Sequence, residues 1–476
     1  MKKGISYLFS FFGFALILIL TSHYNLGATS DSINYIEIAR NLKAGNGFVN
    51  NTGIFVNHWP PLYQLVLATT SIIANLDPLE VGKYLQAILL GLSILVFNKI
   101  VDLKNVRSFP RIFLNCLLLF SVPLNVFVWF LSEGLFIFLL FSCYYFILKW
   151  QLFQKNKLLI IAGFLAGLLM VTRYAGLGFV GGILIYLFFF QKKYLKDKVV
   201  NCVIFTLSFL PFLVAWFSYS LYKSNDLAHR SFTFHPITFR NLLGFNKTIL
   251  NWIVPFEKDL YIIISGFILL GILIFFFSRI SNLKGKLGEV IRENRGLIKV
   301  ISVSIVSYII FLFFSRSFLD AQTPMDNRIL SPIYFLALLF FIPFANQIFK
   351  IKGFNINILI PFIIVFGMML TSTFTWWHIT HKEGDGFTSK QWKTSETLKY
   401  VTNFSEKKIY TNASNFIALY FPEKSNQLQS IPKWMNPGTN KLNKTIDYEM
   451  LQMKNSIEKE ESVLIYSDCP FSVITL

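Results

Sequence analysis

Long apolar stretches recur along this chain, and they restrict its fold more than any other feature. Each is close to the length of about 20 residues that an α-helix needs to cross the hydrocarbon core of a bilayer. Lipid offers the backbone no hydrogen bonds, so such a stretch has to be helical. We identify eleven candidate spans: 5–24, 82–101, 112–131, 133–150, 157–173, 175–191, 199–220, 260–278, 299–316, 329–346 and 356–377.

The composition agrees with this interpretation. Of 476 residues, 54% are hydrophobic, only 14% are charged, and 53 are Phe. A soluble domain of this size could not bury so much apolar surface, whereas lipid solvates it. The sequence therefore predicts an α-helical polytopic membrane protein with about eleven transmembrane helices over residues 1–377.

The basic residues predict the orientation of the chain. The net charge of +19 falls largely in alternate loops, and short loops rich in Lys and Arg stay cytoplasmic. These cations include Lys2, Lys3, Lys99, Lys104, Arg107, Arg111, Lys155, Lys157, Lys192, Lys193, Lys196, Lys198, Arg279, Lys284, Lys286, Arg292, Arg295, Lys299, Lys350 and Lys352. We therefore expect a cytoplasmic N-terminus, a C-terminal region outside, and no nucleic-acid partner.

The first span also resembles a signal peptide, with two lysines, an apolar run and Ala28 beyond it. Its apolar run is long enough to span the membrane, so we expect it to remain as an anchor. Three cysteines lie within predicted spans and Cys469 stands alone near the end. Because the sequence has no CxxC motif or Cys/His cluster, it predicts neither a disulfide framework nor a zinc site.

Three predicted external stretches are long: 25–81, 221–259 and 378–476. The first has the pattern of two short helices that are joined by a Gly-rich turn at 45–47, the second helix starting at Pro60-Pro61. Such helices tend to lie in the membrane interface.

The last stretch, 378–476, is mixed polar and charged. Polar and apolar residues alternate at 408–411 and 462–466, as they do in strands. The residue pattern at 389–403 and 413–420 is helical. This predicts a small C-terminal extracytoplasmic α/β domain.

With this topology, most of the charged and polar residues that are costly to place in a membrane protein fall on the outer side of the membrane. Charged groups at membrane depth are costly and usually functional, so their convergence on one face indicates a site. The residues concerned are Asp31, His58, Glu133, Arg173, Asp320, Asp326 and Arg328.

Such a set suits transfer of a group onto a nucleophile. An acceptor hydroxyl or amine needs a carboxylate to take its proton as it attacks, which fits Asp31. A departing phosphate needs arginines, whose planar fork donates two hydrogen bonds at once. Arg173 and Arg328 fit this second role, with Arg230 in the 221–259 loop as a further candidate.

Several short motifs resemble the GT-C superfamily of integral-membrane glycosyltransferases, in the branch of the protein O-mannosyltransferases and the lipid A aminoarabinose transferase. The opening loop carries Asp31-Ser32, Tyr35, Ala39-Arg40-Asn41-Leu42, Gly45, Gly47-Phe48 and Pro60-Pro61-Leu62-Tyr63. Later patches are Leu131-Ser132-Glu133-Gly134-Leu135-Phe136, Thr172-Arg173-Tyr174-Ala175-Gly176 and Asn327-Arg328-Ile329-Leu330-Ser331-Pro332. In the tail, Gly386-Phe387, Trp392 and Tyr410-Thr411-Asn412-Ala413 resemble some bacterial members.

The resemblance implies a multi-pass enzyme of the cell (inner) membrane that transfers a sugar from a polyprenyl-phosphate carrier. The acceptor, a lipid, glycan or protein, would be presented on the outer face, with Asp31 as the base. Its implied substrate-binding residues are Tyr35, His58, Glu133, Arg173, Arg230 and Arg328. Several relatives carry two adjacent acidic residues in the first loop, whereas Ser32 follows Asp31 here, which leaves open a second carboxylate and a divalent cation.

Other interpretations of the same residues remain open. Asp31 could cap a helix, Glu133 could snorkel from the end of a span, and Arg173 and Arg328 could stabilise the helical bundle as members of ion pairs. His58 could pack a turn beside Trp59. For the whole chain, the alternatives are a lipid flippase or transporter and a membrane scaffold without enzymatic activity, although the internal repeats typical of transporters are not evident.

Overall fold

In a computed structural model, the described residues are 2–228, 232–253, 284–320, 323–348, 356–401, 407–432, 443 and 445–465. The first half of the chain is almost entirely helical. Its helices are α1 (Lys2–Leu20), α2 (Ser30–Lys43), α3 (Leu62–Ala74), α4 (Pro78–Leu103), α5 (Ser108–Leu119), α6 (Glu133–Phe153), α7 (Asn156–Thr172), α8 (Gly176–Ile185) and α9 (Leu195–Ser224).

The second half contains further helices and a small sheet. They are α10 (Phe239–Asn251), α11 (Lys284–Glu293), α12 (Arg295–Phe318), α13 (Asn327–Ile348), α14 (Ile356–Glu383), α15 (Lys390–Lys393), α16 (Glu396–Val401), β1 (Lys408–Thr411), α17 (Ser414–Tyr420), β2 (Leu428–Ser430), α18 (Ile446–Glu458) and β3 (Ser462–Ile465).

The helices confirm a multi-pass membrane protein. Among the described residues, seven helices are long and apolar enough to cross a membrane, or eight if one bent pair forms a single span. The predicted spans 157–173 and 175–191 fall on shorter apolar helices, Asn156–Thr172 and Gly176–Phe190. The predicted span 260–278 lies outside the described residues.

The predicted span 112–131 was wrong as a continuous helix. Helix α5 ends at Leu119, and a 3₁₀ helix, Val122–Val128, follows at an angle of 61°. Pro123 lies in the first turn of the 3₁₀ segment, where its missing N–H and its ring prevent the α-helix from continuing. The break turns the chain back towards the start of α6, at Glu133.

The bundle is held by close packing of its helices. Helix α7 lies against α9 because Gly163 and Gly167 leave space for it. A Cβ at Gly163 would stand 2.6 Å from the Cβ of Ser208, and one at Gly167 would stand 2.3 Å from a ring carbon of Phe212. Helix α6 packs between α4 and α7, so its first residue is surrounded by protein on several sides.

The opening loop folds as predicted, into two helices joined by a glycine turn. Gly45 and Gly47 have φ values of 83° and 85°, which only glycine adopts without strain. Helix α2 buries more than one apolar face, since Tyr35, Ile36 and Ile38 are all at most 3% exposed. It is therefore covered by protein on more than one face, and its position relative to the membrane interface stays a prediction.

The C-terminal region confirms the predicted small α/β domain. Strand β1 lies in the middle of a three-stranded parallel sheet of order β2-β1-β3. The predicted strands at 408–411 and 462–466 and the helix at 413–420 are present, but the helical stretch 389–403 divides into α15 and α16. Strand β2 and helix α18 were not predicted.

This domain packs on the opening loop. Ala28 and Gly386 form a parallel bridge, and the N–H of Phe387 donates to the carbonyl of Ala28 at 2.9 Å. Arg40 in α2 forms a bidentate ion pair with Asp77, both bonds at 2.9 Å. Its guanidinium also donates to the carbonyl of Leu419 in α17 at 3.3 Å. The tail and the loop that carries Asp31 are therefore joined on one side of the bundle.

Candidate active site

Four charged side chains from four separate segments meet beside the opening loop. Arg328 donates from Nε to Oε1 of Glu133 at 2.6 Å and from Nη2 to Oδ2 of Asp31. Arg173 pairs through Nη1 with the same Oε1 of Glu133. Two carboxylates and two guanidinium groups thus form one cluster without net charge. We call Asp31, Glu133, Arg173 and Arg328 the charged quartet.

Asp31 does not cap its helix. The N-cap of α2 is Thr29, whose hydroxyl accepts from the N–H of Ser32, while the Ser32 hydroxyl accepts from the N–H of Thr29 at 2.9 Å. These reciprocal bonds form a capping box. The Asp31 carboxylate is thereby left free of a capping role, and it points to Arg328 with its side chain 27% exposed.

Glu133 is the most deeply buried member of the quartet, at 1% exposure. It is the first residue of α6, after the bent 3₁₀ segment, and Gly134 behind it packs directly against Gln86 of α4. A Cβ at Gly134 would lie 2.0 Å from the Gln86 side-chain oxygen. The Gln86 amide nitrogen donates to the carbonyl of Leu131 at 2.7 Å. This packing fixes the start of α6 and the position of the carboxylate.

One oxygen of Glu133 is available to a ligand. Oε1 accepts from both arginines, but Oε2 is buried and makes no hydrogen bond within the described part of the chain. A buried carboxylate oxygen without a donor is costly, and it calls for a hydrogen-bond partner. A substrate hydroxyl or an ordered water molecule could supply one.

Arg173 is placed by the end of α7. The chain becomes extended at this residue, with φ −150° and ψ 134°, and Nη1 also donates to the Ser132 hydroxyl at 3.2 Å. The next residue, Tyr174, donates from its hydroxyl to the carbonyl of Asn57 at 3.2 Å and accepts from Trp216 Nε1 at 3.0 Å. The Arg173 segment, the opening loop and α9 are therefore tied together.

Arg328 is placed by the first turn of α13. Asn327 before it donates to the Asn125 side-chain oxygen at 2.6 Å and accepts from Trp252 Nε1 at 2.6 Å. The Tyr308 hydroxyl donates to the carbonyl of Ile329 at 2.6 Å. Three neighbouring elements thus hold the turn that presents the guanidinium.

Aromatic side chains of the opening loop stand beside the quartet. Tyr35 is 3% exposed and packs edge-on against Trp59 and Tyr63, with ring centroids 5.7 Å and 5.2 Å away. Burial, reinforced by the negative charge of Asp31, raises the pKa of the Tyr35 hydroxyl, so it stays protonated and able to donate a hydrogen bond. His58 packs edge-on against Trp59 at 4.7 Å and so belongs to the same aromatic group.

The remaining predicted residues are placed less directly. Asp326 accepts from the N–H of Ile329 at 3.1 Å, which makes it a cap of α13, and burial raises its pKa. Arg230 lies outside the described residues. In the described ranges, no three His, Cys, Asp or Glu side chains are grouped so that they could hold a metal ion.

Comparison with solved structures identifies the fold. ArnT from Cupriavidus metallidurans bound to undecaprenyl phosphate aligns over 96% of this chain and 88% of its own, with a TM-score of 0.55 and 11% identity. The Archaeoglobus fulgidus oligosaccharyltransferase in complex with Zn and sulfate aligns over 88% of this chain but only 62% of its own, with a TM-score of 0.50 and 12% identity. The chain therefore shares its overall fold with these two solved structures. No protein-family model and no curated protein matches the sequence.

Several supporting residues were not predicted as part of the site. Ser132, Asn327 and Gln86 each position a member of the quartet, through the hydrogen bonds described above. Gln86 lies within a predicted span, and an amide inside an apolar stretch was the available signal. Ser132 and Asn327 directly precede Glu133 and Arg328, where the sequence gives no separate indication of their role.

Proposed function

We propose that this protein is a membrane glycosyltransferase that moves a sugar from a polyprenyl-phosphate donor to an acceptor on the outer face of the cytoplasmic membrane. The observation that carries the proposal is the charged quartet, in which a partly exposed carboxylate lies beside two half-buried arginines at one end of a GT-C-like fold. Transfer of a sugar from a phosphate carrier requires both kinds of group. The fold and the site therefore favour the same reaction class.

In this mechanism Asp31 acts as the general base. Its Oδ2 pairs with Arg328, while Oδ1 takes part in no hydrogen bond among the described residues. The acceptor oxygen or nitrogen forms a bond to the anomeric carbon of the donor sugar and passes its proton to Asp31. The bond between that carbon and the phosphate oxygen breaks, and its electrons leave with the polyprenyl phosphate.

Arg173 and Arg328 stabilise the departing phosphate. Arg328 Nη1 and Arg173 Nη2 appear in none of the hydrogen bonds of the described residues, so both groups keep donors for an anion. Arginine suits this role because it donates two parallel hydrogen bonds to a phosphate. Glu133 holds both guanidinium groups through one oxygen and offers Oε2 to a sugar hydroxyl. The Tyr35 hydroxyl supplies a further hydrogen-bond donor beside the quartet.

The orientation follows from the loop cations. The quartet and the C-terminal domain share one side of the bundle, and the loops rich in Lys and Arg predict that the opposite side is cytoplasmic. We therefore assign the site and the tail to the extracytoplasmic side of the membrane.

The test is transfer of radiolabel by purified protein in nanodiscs, from a panel of polyprenyl-phosphate sugars to a native envelope extract. Asp31→Asn keeps the shape of the side chain and removes the base, so we expect transfer to fall by about 10²–10⁴. Glu37→Gln is the matched control, because Glu37 lies in the same helix and accepts from Asn51, away from the quartet. We expect this control to retain most of the activity.

Normal transfer by Asp31→Asn at equal expression would contradict the mechanism. If no donor is used, and labelled lipid instead crosses the bilayer of liposomes that contain the protein, the chain is a flippase. If neither occurs and the isolated tail binds an envelope component, the scaffold interpretation applies.

A further inference from the structure

A second polar site lies at the other end of the bundle. A cavity of about 300 Å³ opens between the ends of α6 and α8 and the start of α12. Its lining includes Lys192, Lys193, Arg295 and Lys299, and no acidic side chain is among its described lining residues. Helix α6 runs from Glu133 at the quartet to Gln151 at this cavity, a rise of about 27 Å at 1.5 Å per residue. The two sites are therefore separated by the thickness of the bundle.

The cations around the cavity have no anionic partner. None of the four takes part in an ion pair among the described residues. Lys193 lies over the Trp150 ring at 5.3 Å from its centroid, and Lys299 lies over the Phe190 ring at 5.1 Å. Each of these two ammonium groups therefore lies next to an aromatic residue that also lines the cavity.

A buried donor in the same cavity also lacks a partner. Gln191 is 8% exposed, and its Oε1 accepts from Asn201 Nδ2 at 3.1 Å. Its Nε2 makes no hydrogen bond in the described part of the chain. A buried N–H without an acceptor is costly, so the side chain is placed to donate to a ligand oxygen.

The backbone adds to the positive potential. The N-terminus of α12 begins at Arg295, has no side-chain cap, and contributes Gly296 to the lining. Helix N-termini attract anions through their free N–H groups and their dipole. On the opposite wall, the chain leaves α8 through a π-helical turn, Tyr186–Phe190, a distortion that is frequent at functional sites.

We infer that this cavity binds the phosphate group of an anionic phospholipid of the cytoplasmic leaflet. Basic pockets between transmembrane helices on this side of a membrane suit such head groups. Large apolar side chains beside the cavity point outwards, with Phe153 56% and Phe189 67% exposed, and would accompany the acyl chains. This site is independent of the proposed transferase reaction, and its test measures no transfer.

The test uses the full-length protein in a neutral detergent, where no membrane surface potential contributes. Short-chain phosphatidylglycerol is titrated against short-chain phosphatidylcholine and inorganic phosphate, and binding is followed by native mass spectrometry and thermal unfolding. We expect phosphatidylglycerol to bind and to raise the unfolding temperature by about 1–3 °C, with no comparable effect of phosphatidylcholine.

The variant is Lys192→Gln with Lys193→Gln, and the control is Lys196→Gln with Lys198→Gln. Both pairs remove the same charge from the segment 192–198, in which Lys198 is half-buried and the other three lysines are exposed, but the control residues do not line the cavity. At about 1 kcal/mol for each cation, we expect the variant to bind phosphatidylglycerol about 30-fold more weakly, and the control to stay within about twofold.

Three results would overturn the inference. Equal losses in the variant and its control would mean that only general surface charge attracts the lipid. Absence of any preference for phosphatidylglycerol over phosphatidylcholine would exclude a phosphate site of this kind. Inorganic phosphate that binds as tightly as phosphatidylglycerol, and is lost in the same variant, would identify a soluble anion as the ligand and exclude the lipid.

Discussion

Arg328 and Glu133 are joined by a hydrogen bond of 2.6 Å between Nε and Oε1, across 195 residues of sequence. The same guanidinium reaches Asp31 through Nη2, so one side chain holds two carboxylates with two different nitrogens. The geometry of the quartet therefore depends on the planar fork of an arginine and not on positive charge alone.

Arg328→Lys tests this dependence. Lysine keeps the charge but offers a single nitrogen, so it cannot hold Asp31 and Glu133 in the same arrangement and donate to a phosphate as well. We expect sugar transfer to fall by about 10²–10³, measured with the labelled donor in nanodiscs. Arg107→Lys is the control, since Arg107 is exposed and precedes α5, outside the quartet and its attachments. Equal activities of the two variants would contradict the proposed role.

Glu133→Gln should destabilise the fold. The change leaves Arg173 and Arg328 without their shared carboxylate in a buried site, and removal of one partner of a buried ion pair costs about 3–5 kcal/mol. Denaturation in neutral detergent measures the loss. The double variant Glu133→Gln with Arg173→Gln removes one charge of each sign and should recover part of it. Strictly additive effects would show that these two residues do not interact.

Gly134→Ala should disturb the site through packing alone. The new methyl group would lie 2.0 Å from the Gln86 side-chain oxygen, so the start of α6 has to shift, at a cost of about 1–3 kcal/mol. We expect a lower unfolding temperature together with slower transfer. Gly367→Ala is the control, because a Cβ at Gly367 meets no atom within 4 Å. A Gly134→Ala protein as stable and active as this control would refute the packing argument.

The buried carboxyl of Asp385 should make the free energy of unfolding depend on pH. It is 2% exposed, and burial raises the pKa of its carboxyl to about 6, against a weaker opposing effect of Thr380. In the unfolded chain the carboxyl titrates near pH 3.9. Between these values the folded protein holds a proton that the unfolded chain has lost. The free energy of unfolding should therefore fall as pH rises from about 4 to 6, by roughly 3 kcal/mol in total.

Asp385→Asn should remove this contribution. Burial also raises the pKa of Glu37 and Asp326, and these groups change stability with pH in the same direction. The quantity to compare is therefore the difference in the free energy of unfolding between wild type and variant across the pH range. Thermal unfolding from pH 4 to 7.5 measures it, with the exposed Asp197→Asn as control. If wild type and Asp385→Asn lose stability in parallel, another group is responsible.

The sequence predicted the helical architecture, because the length of an apolar stretch determines where a helix can span. The orientation that the loop cations indicate stays a prediction. The break in the 112–131 span was missed because Val122, Leu124 and Val126 continue the apolar pattern through Pro123. Strand β2 was missed because three residues, two of them polar, carry no alternation that can be recognised.

The members of the quartet were predicted, but not their pairing. Asp31, Glu133, Arg173 and Arg328 lie far apart in sequence, and only the packed bundle decides that Glu133 accepts from both arginines. Likewise Thr29, Ser30, Asp31 and Ser32 are all suitable helix caps by residue type. The structure selects Thr29 through its reciprocal bonds with Ser32, and this selection releases Asp31 for Arg328.

The bridge between Ala28 and Gly386 gives the tail a role beyond that of an appended module. Asp31 lies in the first turn of α2, which begins two residues after Ala28, so the C-terminal domain supports the segment that carries the proposed base. Arg40, bonded to Leu419, makes a second attachment one helix length further on. A chimera that exchanges the tail between proteins of this fold must therefore preserve both attachments, or it will lose the order of the Asp31 segment, which lies more than 350 residues upstream of Gly386.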